Sequence, residues 1–186
     1  MKHPIIRLFV ARLRALAAAD RAAFPVPRLR GFMGPFARHM INITLDASGK
    51  ITLADAGDDV ARMFGRNIAG ASLADLFVEQ DRARIHALAS AAIRERVACA
   101  FGAVAHHTKF RATHIEGVLT PEPRLDGEWR FASACVISYG FTYGKRAGAL
   151  PLLTLTSERF VDLDGFVGRP DGLRLFARRV GRASGA

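Results

Sequence analysis

The hydrophobic pattern of the chain changes its period twice, and this order restricts the fold more than any single motif. Apolar and polar residues alternate in His39–Asp46, as in a half-buried strand. From about Glu79 to Val97 the apolar residues recur with helical spacing, and after Cys99 the strand pattern returns. Strands on both sides of a helical region predict an α+β fold, with one antiparallel sheet and helices on one face.

Turn residues divide these regions into elements. Ala47–Lys50 is typical of a turn, so His39–Asp46 and Ile51–Asp55 are predicted to form a hairpin. A short helix is expected at Val60–Phe64. Three later strands are predicted at Cys99–His106, Phe110–Thr120 and Trp129–Tyr139. The apolar run Leu150–Thr156 either adds a strand or packs across the sheet.

The basic residues are concentrated at the two ends of the chain. The net charge is +10, of which residues 1–38 hold +7 and residues 165–186 hold +4. We therefore divide the chain into an N-terminal helix with a Pro-containing linker (1–38), a domain (39–164) and a basic C-terminal tail (165–186). Basic ends attract polyanions, so one hypothesis is an adaptor that binds nucleic acid or an anionic membrane surface through its termini.

Residues Pro4–Arg21 have the pattern of an amphipathic helix, with Arg7, Arg14 and Arg21 on the polar side. Its wide apolar face must pack either on the chain's own sheet or on a second copy. We expect a homodimer formed through this helix. The predicted interface residues are Ile5, Ile6, Phe9, Val10, Leu13 and Leu16. Because arginines interrupt the apolar stretch, export is not expected, and we predict a cytoplasmic protein.

Residues that could support catalysis or metal binding are scattered. The sequence has no P-loop, no dinucleotide glycine motif, no G-x-S-x-G and no H-E-x-x-H, so we predict that the protein is not an enzyme. His106 and His107 are adjacent in a predicted strand and point to opposite faces, so only one of them could share a face with His114. Apart from Glu116, no cysteine or carboxylate follows at a spacing typical of a zinc site. We expect no metal and no cofactor such as haem or flavin. The weakest hypothesis is a small enzyme that pairs His86 with Asp81.

The segment Ala61–Phe77 has the form F-G-R-x-x-x-G-x-S-x-x-x-L in its central part, and Asp81-Arg82 follows. This pattern resembles the middle of PAS domains, and it is similar to the PAS-like family of short alphaproteobacterial proteins that have an N-terminal helix. The resemblance covers roughly residues 39–140. It implies a five-stranded antiparallel sheet with helices on one face, and a signalling or protein-interaction role in bacteria.

The resemblance also implies a ligand cavity between the helices and the sheet. The chain lacks the cysteine-bearing helix segment of flavin-binding light sensors, because Cys99 and Cys135 fall in predicted strands. We therefore expect a non-catalytic sensory domain, with a signalling protein or an unknown small ligand as its partner. The residues predicted to line the cavity are Met63, Phe64, Leu76, Phe77, Ile85, His86, Leu88, Trp129, Phe131 and Cys135.

Overall fold

The computed structural model describes residues 2–19, 34–122, 131–139 and 149–161. Within these ranges, only the backbone is described for residues 16–19, Glu122 and Phe131. The helices are α1 (Pro4–Ala19), α2 (Asp58–Phe64) and α3 (Glu79–Arg94), with 3₁₀ helices at Gly34–His39 and Leu73–Leu76. The strands are β1 (Met40–Leu45), β2 (Ile51–Ala56), β3 (Ala98–Thr108), β4 (Arg111–Glu122), β5 (Phe131–Tyr139) and β6 (Leu153–Val161).

The six strands form one sheet in the order β2-β1-β5-β4-β3-β6, and every neighbouring pair is antiparallel. The predicted α+β class is confirmed, but the sheet has six strands and not five. The additional strand is β6, which pairs with β3. The apolar run Leu150–Thr156 therefore adds a strand, the first of the two possibilities that the sequence left open.

The inner face of the sheet, which we define as the face covered by α2 and α3, carries the larger of the two apolar clusters. Alternate residues of β1, such as Ile41 and Ile43, point into it. From α3, Ile85, Leu88 and Ala92 belong to the same cluster and are completely buried. Their spacing of three and four residues is that of one helical stripe, as the sequence predicted.

The outer face is covered by α1 and by the 3₁₀ helix Gly34–His39. Ile6 and Phe9 of α1 are completely buried, and the Phe9 ring meets Phe36 edge to face at 5.1 Å between centroids. Beneath α1 lie alternate residues of the central strands, including Val118 of β4 and Ile137 of β5. The helices α2 and α3 thus share one face of the sheet, as predicted, and the additional N-terminal helix α1 packs on the other.

The glycine that follows phenylalanine in the sequence motif, Gly65, is needed for steric reasons. Gly65 ends α2 with a left-handed φ of 63°, and its amide donates to the Arg62 carbonyl. A Cβ at this position would lie 2.8 Å from the Cβ of Ala149, which is too close. The backbone after Ala149 is held there, since Leu150 N donates to the Met63 carbonyl at 2.9 Å. Glycine therefore lets the segment before β6 approach the helix end.

The turn before α3 is closed by a backbone hydrogen bond and not by a side-chain cap. Ser72 precedes the 3₁₀ helix Leu73–Leu76, but its side chain makes no capping hydrogen bond. Its carbonyl instead accepts the amide of Asp75 at 3.0 Å.

Within the described ranges, no helix combines the length and the apolar composition that a transmembrane span requires.

Candidate functional site

Six of the residues predicted to line an inner cavity are brought together by the structure. They are Met63, Phe64, Leu76, Phe77, Ile85 and Leu88, and all belong to the inner-face cluster. Met63, Ile85 and Leu88 have no exposed surface, and the ring of Phe77 meets Phe101 of β3 edge to face at 6.3 Å. In this structure these side chains pack against one another as a core between helices and sheet.

His86 does not lie in this core. It is half-buried on α3, and its Nε2 lies 2.8 Å from the Gly49 carbonyl in the turn between β1 and β2. His86 therefore joins the long helix to the hairpin turn. Its position beside the apolar stripe of α3 accounts for its partial burial, but no local pattern in the sequence indicates this partner.

Cys135 is on the outer face, so its predicted place in the inner cavity is wrong. It is completely buried with Val118 and Ile137 beneath α1. Burial raises the pKa of its thiol to about 12. The small residues of β5, Ala132 and Ala134, face the inner side instead, where the helices pack closely.

The side chains of two predicted cavity residues and of one predicted interface residue lie outside the described part of the chain. Trp129 lies outside the described residues, and for Phe131 the backbone alone is described, paired with Thr44 of β1. Leu16 lies in α1, but its side chain is likewise outside the description.

Helix α1 packs on the chain's own sheet, which was one of the two covers that its apolar face required. The buried members of the predicted interface are Ile6, Phe9, Val10 and Leu13, and Ile5 is half-buried beside them. Because this face is covered within one chain, it does not require a second copy as its cover, and the homodimer stays a prediction.

Asp81 is a buried carboxylate that links α3 to β6. Its Oδ2 accepts the backbone amide of Leu155 at 2.8 Å, and its Oδ1 accepts Arg84 Nη1 at 2.9 Å. Arg84 also reaches Glu158 at 3.2 Å. Asp81 and His86 thus have separate partners, and the structure does not bring them together as a catalytic pair.

Asp59 forms a second buried carboxylate centre that the sequence did not predict. Its Oδ1 pairs with Arg62 of the same helix and with Arg38, whose Nη2 lies 3.1 Å away. His39 Nδ1 lies 3.3 Å from Oδ2, but no hydrogen bond joins these two atoms. Burial lowers the pKa of His39 more than Asp59 raises it, so the neutral ring is favoured. The cluster joins α2 to the segment before β1.

Glu116 of β4 holds the two residues that precede α1. Its carboxylate accepts the amides of Lys2 and His3 at 2.8–3.0 Å and the Tyr139 hydroxyl at 2.8 Å. Burial alone would raise the pKa of Glu116, but these hydrogen bonds lower it overall. For Tyr139, burial and the neighbouring carboxylate raise the pKa to about 12. Only the packing of the N-terminal segment on the sheet reveals this contact, because Glu116 is distant from Lys2 and His3 in sequence.

A basic groove opens on the outer side, between α1 and the end of β6, with a volume of ≈ 460 Å³. Its lining residues are Arg7, Val10, Ala11, Arg14, Arg159, Phe160 and Val161. Val10 and Val161 are buried and form an apolar floor, whereas the three arginines are exposed. The sequence placed Arg7 and Arg14 on the polar side of the helix but did not predict a groove.

The histidines of β3 and β4 do not converge. His107 Nε2 lies 2.9 Å from Thr113 Oγ1, while His106 and His114 are exposed. In the part of the chain that the structure describes, no three His, Cys, Asp or Glu side chains are grouped closely enough to hold a metal ion.

Comparison with known proteins places residues 35–131, just over half of the chain, in the family described as PAS domain. The PAS domain of a protein from Colwellia psychrerythraea is similar in structure, with a TM-score of 0.44 and 14% identity over 62% of this chain and 98% of that one. The phage VqmA–DPO complex is similar with a TM-score of 0.43 and 14% sequence identity, and the match covers 60% of this chain and 53% of that one. An RNA-binding light-oxygen-voltage receptor is similar with a TM-score of 0.36 and 14% sequence identity, and the match covers 77% of this chain and 35% of that one. No curated protein matches the sequence.

Proposed function

Because this chain belongs to the PAS domain family, we propose that it is a non-catalytic sensory and protein-interaction module of bacterial signal transduction, acting in the cytoplasm. The domain comprises residues 39–164 in this proposal, and the basic segment 165–186 follows it. The observation that carries the proposal is how the polar groups inside the fold are used. Asp81, Asp59 and His86 each connect one element of the structure to another.

A reacting group needs a lone pair or a proton directed at a substrate. Both oxygens of Asp81 already accept hydrogen bonds, and the Nε2 of His86 is directed at the Gly49 carbonyl. These are the two side chains that the enzyme hypothesis required. Their structural use supports a binding module over an enzyme.

The proposed small ligand enters between α3 and the inner face of the sheet. Binding there requires the packed side chains of Phe77, Ile85 and Leu88 to move apart, since these residues are almost completely buried. Such binding couples to rearrangement of α3, and a sensory domain uses a rearrangement of this kind to report its ligand. The alternative use of the module is as a rigid surface for a protein partner.

Native mass spectrometry of freshly purified protein tests the proposal, because it reports a bound molecule and the stoichiometry together. We expect either a small molecule that is released on denaturation or a stoichiometric assembly with a second chain. Trp129, the chain's one tryptophan, gives an independent fluorescence signal for ligand entry.

The contrary result is a bare monomer that shows turnover in a substrate screen, with the turnover lost in His86→Ala. Loss in His86→Ala with retention in His107→Ala, a matched half-buried histidine on a strand, would establish the enzyme hypothesis in place of the proposal.

A further inference from the structure

The groove between α1 and β6 combines an apolar floor with a basic rim. Its volume of ≈ 460 Å³ is within the range of sites that hold small ligands or a few side chains of a peptide. The floor is provided by Val10 of the helix and Val161 of the strand, both almost completely buried. A ligand that fits this groove therefore has an apolar part that enters it.

The rim fixes the charge of the ligand. Three arginines line the groove, and none of the described lining residues is acidic. Arg7 and Arg14 are two helical turns apart on α1, which is about 10.5 Å along the axis. Arg159 approaches from β6 on the other side. Arg14 already interacts with another group of the chain. Arg7 and Arg159 are therefore the arginines that provide charge for a ligand.

We propose that this groove binds an acidic segment of a partner protein, with an apolar side chain on the floor and carboxylates on either side. The inference rests on the interaction role proposed above and names the chemistry of the partner. In an extended segment, two carboxylates two positions apart lie on the same side, about 7 Å from each other, and the apolar side chain between them points the other way, towards the floor. Guanidinium groups bind carboxylates with paired hydrogen bonds, so each contact also fixes orientation.

Two other anionic partners fit the groove less well. Nucleic-acid binding draws its affinity from many phosphate contacts, commonly six to ten, and the groove offers three arginines. Binding of an amphipathic helix to a membrane requires the apolar face to enter the lipid. Ile6, Phe9 and Leu13 of α1 are instead buried against the sheet.

The test uses the full chain and a short fluorescein-labelled peptide with a leucine between two glutamates, followed by fluorescence anisotropy at low ionic strength. We expect Arg7→Glu combined with Arg159→Glu to weaken binding on the order of tenfold or more. Arg66→Glu is the matched control, since Arg66 is exposed after α2, on the inner side of the sheet. A peptide with lysines in place of the glutamates should bind the double variant better than the wild type.

Three results would overturn the inference: no binding of the glutamate peptide to the wild type, equal weakening by Arg66→Glu, or displacement of the peptide by single-stranded RNA or anionic phosphatidylglycerol vesicles at lower concentrations than the unlabelled peptide. Circular dichroism verifies the fold of each variant, and Arg7→Gln alone replaces the double variant if that one is unfolded. A partner found by native mass spectrometry that binds groove variants normally would refute the groove and leave the interaction role intact.

Discussion

Both faces of the sheet carry apolar residues that are buried from solvent, but different kinds of element cover them. The inner face is covered by α2 and α3, which lie between β2 and β3 in the chain and are therefore tethered at both ends to strands of the sheet. The outer face is covered mainly by α1, which precedes all strands and is separated from β1 by residues 20–39. The inner core is thus a product of the topology, whereas the outer one is a docking interface within a single chain.

The polar contacts differ in the same sense. On the inner side Asp81 is almost completely buried and binds a backbone amide of β6. On the outer side the half-buried Glu116 binds the amides at the start of α1. We therefore expect inner substitutions to destabilise the whole domain and outer ones to release α1 first.

Phe77→Ala should have the largest effect. Phe77 is 1% exposed at the centre of the inner cluster, and truncation of such a ring leaves a cavity that costs about 3–5 kcal/mol. Urea denaturation followed by circular dichroism measures the loss. Phe110→Ala is the control, since Phe110 is 94% exposed. A loss for Phe77→Ala as small as for the control would show that the inner core already holds empty space.

Phe9→Ala tests the outer face and should cost less, about 2–3 kcal/mol, because α1 can detach without unfolding of the sheet. Detachment uncovers Cys135, whose pKa then falls from about 12 towards its ordinary range. Alkylation mapped by mass spectrometry should therefore become faster at Cys135 and stay slow at Cys99 of the inner face. Leu8→Ala, on the exposed side of the same helix, should change neither rate. Equal acceleration at both cysteines would mean that the two faces open together.

Asp81→Ala should destabilise the domain by about 1–3 kcal/mol, because it leaves the buried amide of Leu155 without an acceptor. Asp75→Ala is matched to it, as an exposed carboxylate in the preceding 3₁₀ helix, and should change the free energy of unfolding by less than about 0.5 kcal/mol. Thermal or urea unfolding compares the two variants. Similar losses in both would refute the role assigned to the Leu155 contact.

Glu116→Gln should have the smallest effect, about 0.5–1 kcal/mol at neutral pH, since solvent screens this partly exposed site. The lowered pKa of Glu116 means that the carboxylate stabilises docking above its ordinary pKa of 4.5. That stabilisation is lost as the pH falls through the lower folded-state value. The difference between wild type and variant should therefore shrink in acid, as measured by urea unfolding at several pH values. Glu79→Gln, an exposed position in α3, serves as the control, and a difference that does not vary with pH would contradict the assignment.

Local patterns predicted those parts of the fold that local physics determines. The alternation of Ile41, Ile43 and Leu45 identified β1 and its inner face, and the stripe of Ile85, Leu88 and Ala92 identified the inner side of α3. In both elements a single period specifies which side chains are buried.

The errors arose where the period defines two faces but not which partner covers each. In β5 the pattern favours Phe131 and Cys135 on the inner side, yet the small residues Ala132 and Ala134 face the inner helices, and Cys135 faces α1. The pattern of α1 likewise does not decide whether its apolar face packs on the chain's own sheet or on a second copy. Glu116 and the groove arginines depend on contacts between distant segments, which no local pattern encodes.

The contacts between α3 and β6 also affect how this sheet meets other proteins. A strand at the edge of a sheet offers unpaired amides and carbonyls, on which a strand from another molecule can add and start aggregation. Here the Leu153 carbonyl accepts Val78 N at 2.9 Å, and the Leu155 amide donates to Asp81. The first half of β6 is thereby closed to an incoming strand, so the domain can accumulate in a crowded cell without growing its sheet through that half.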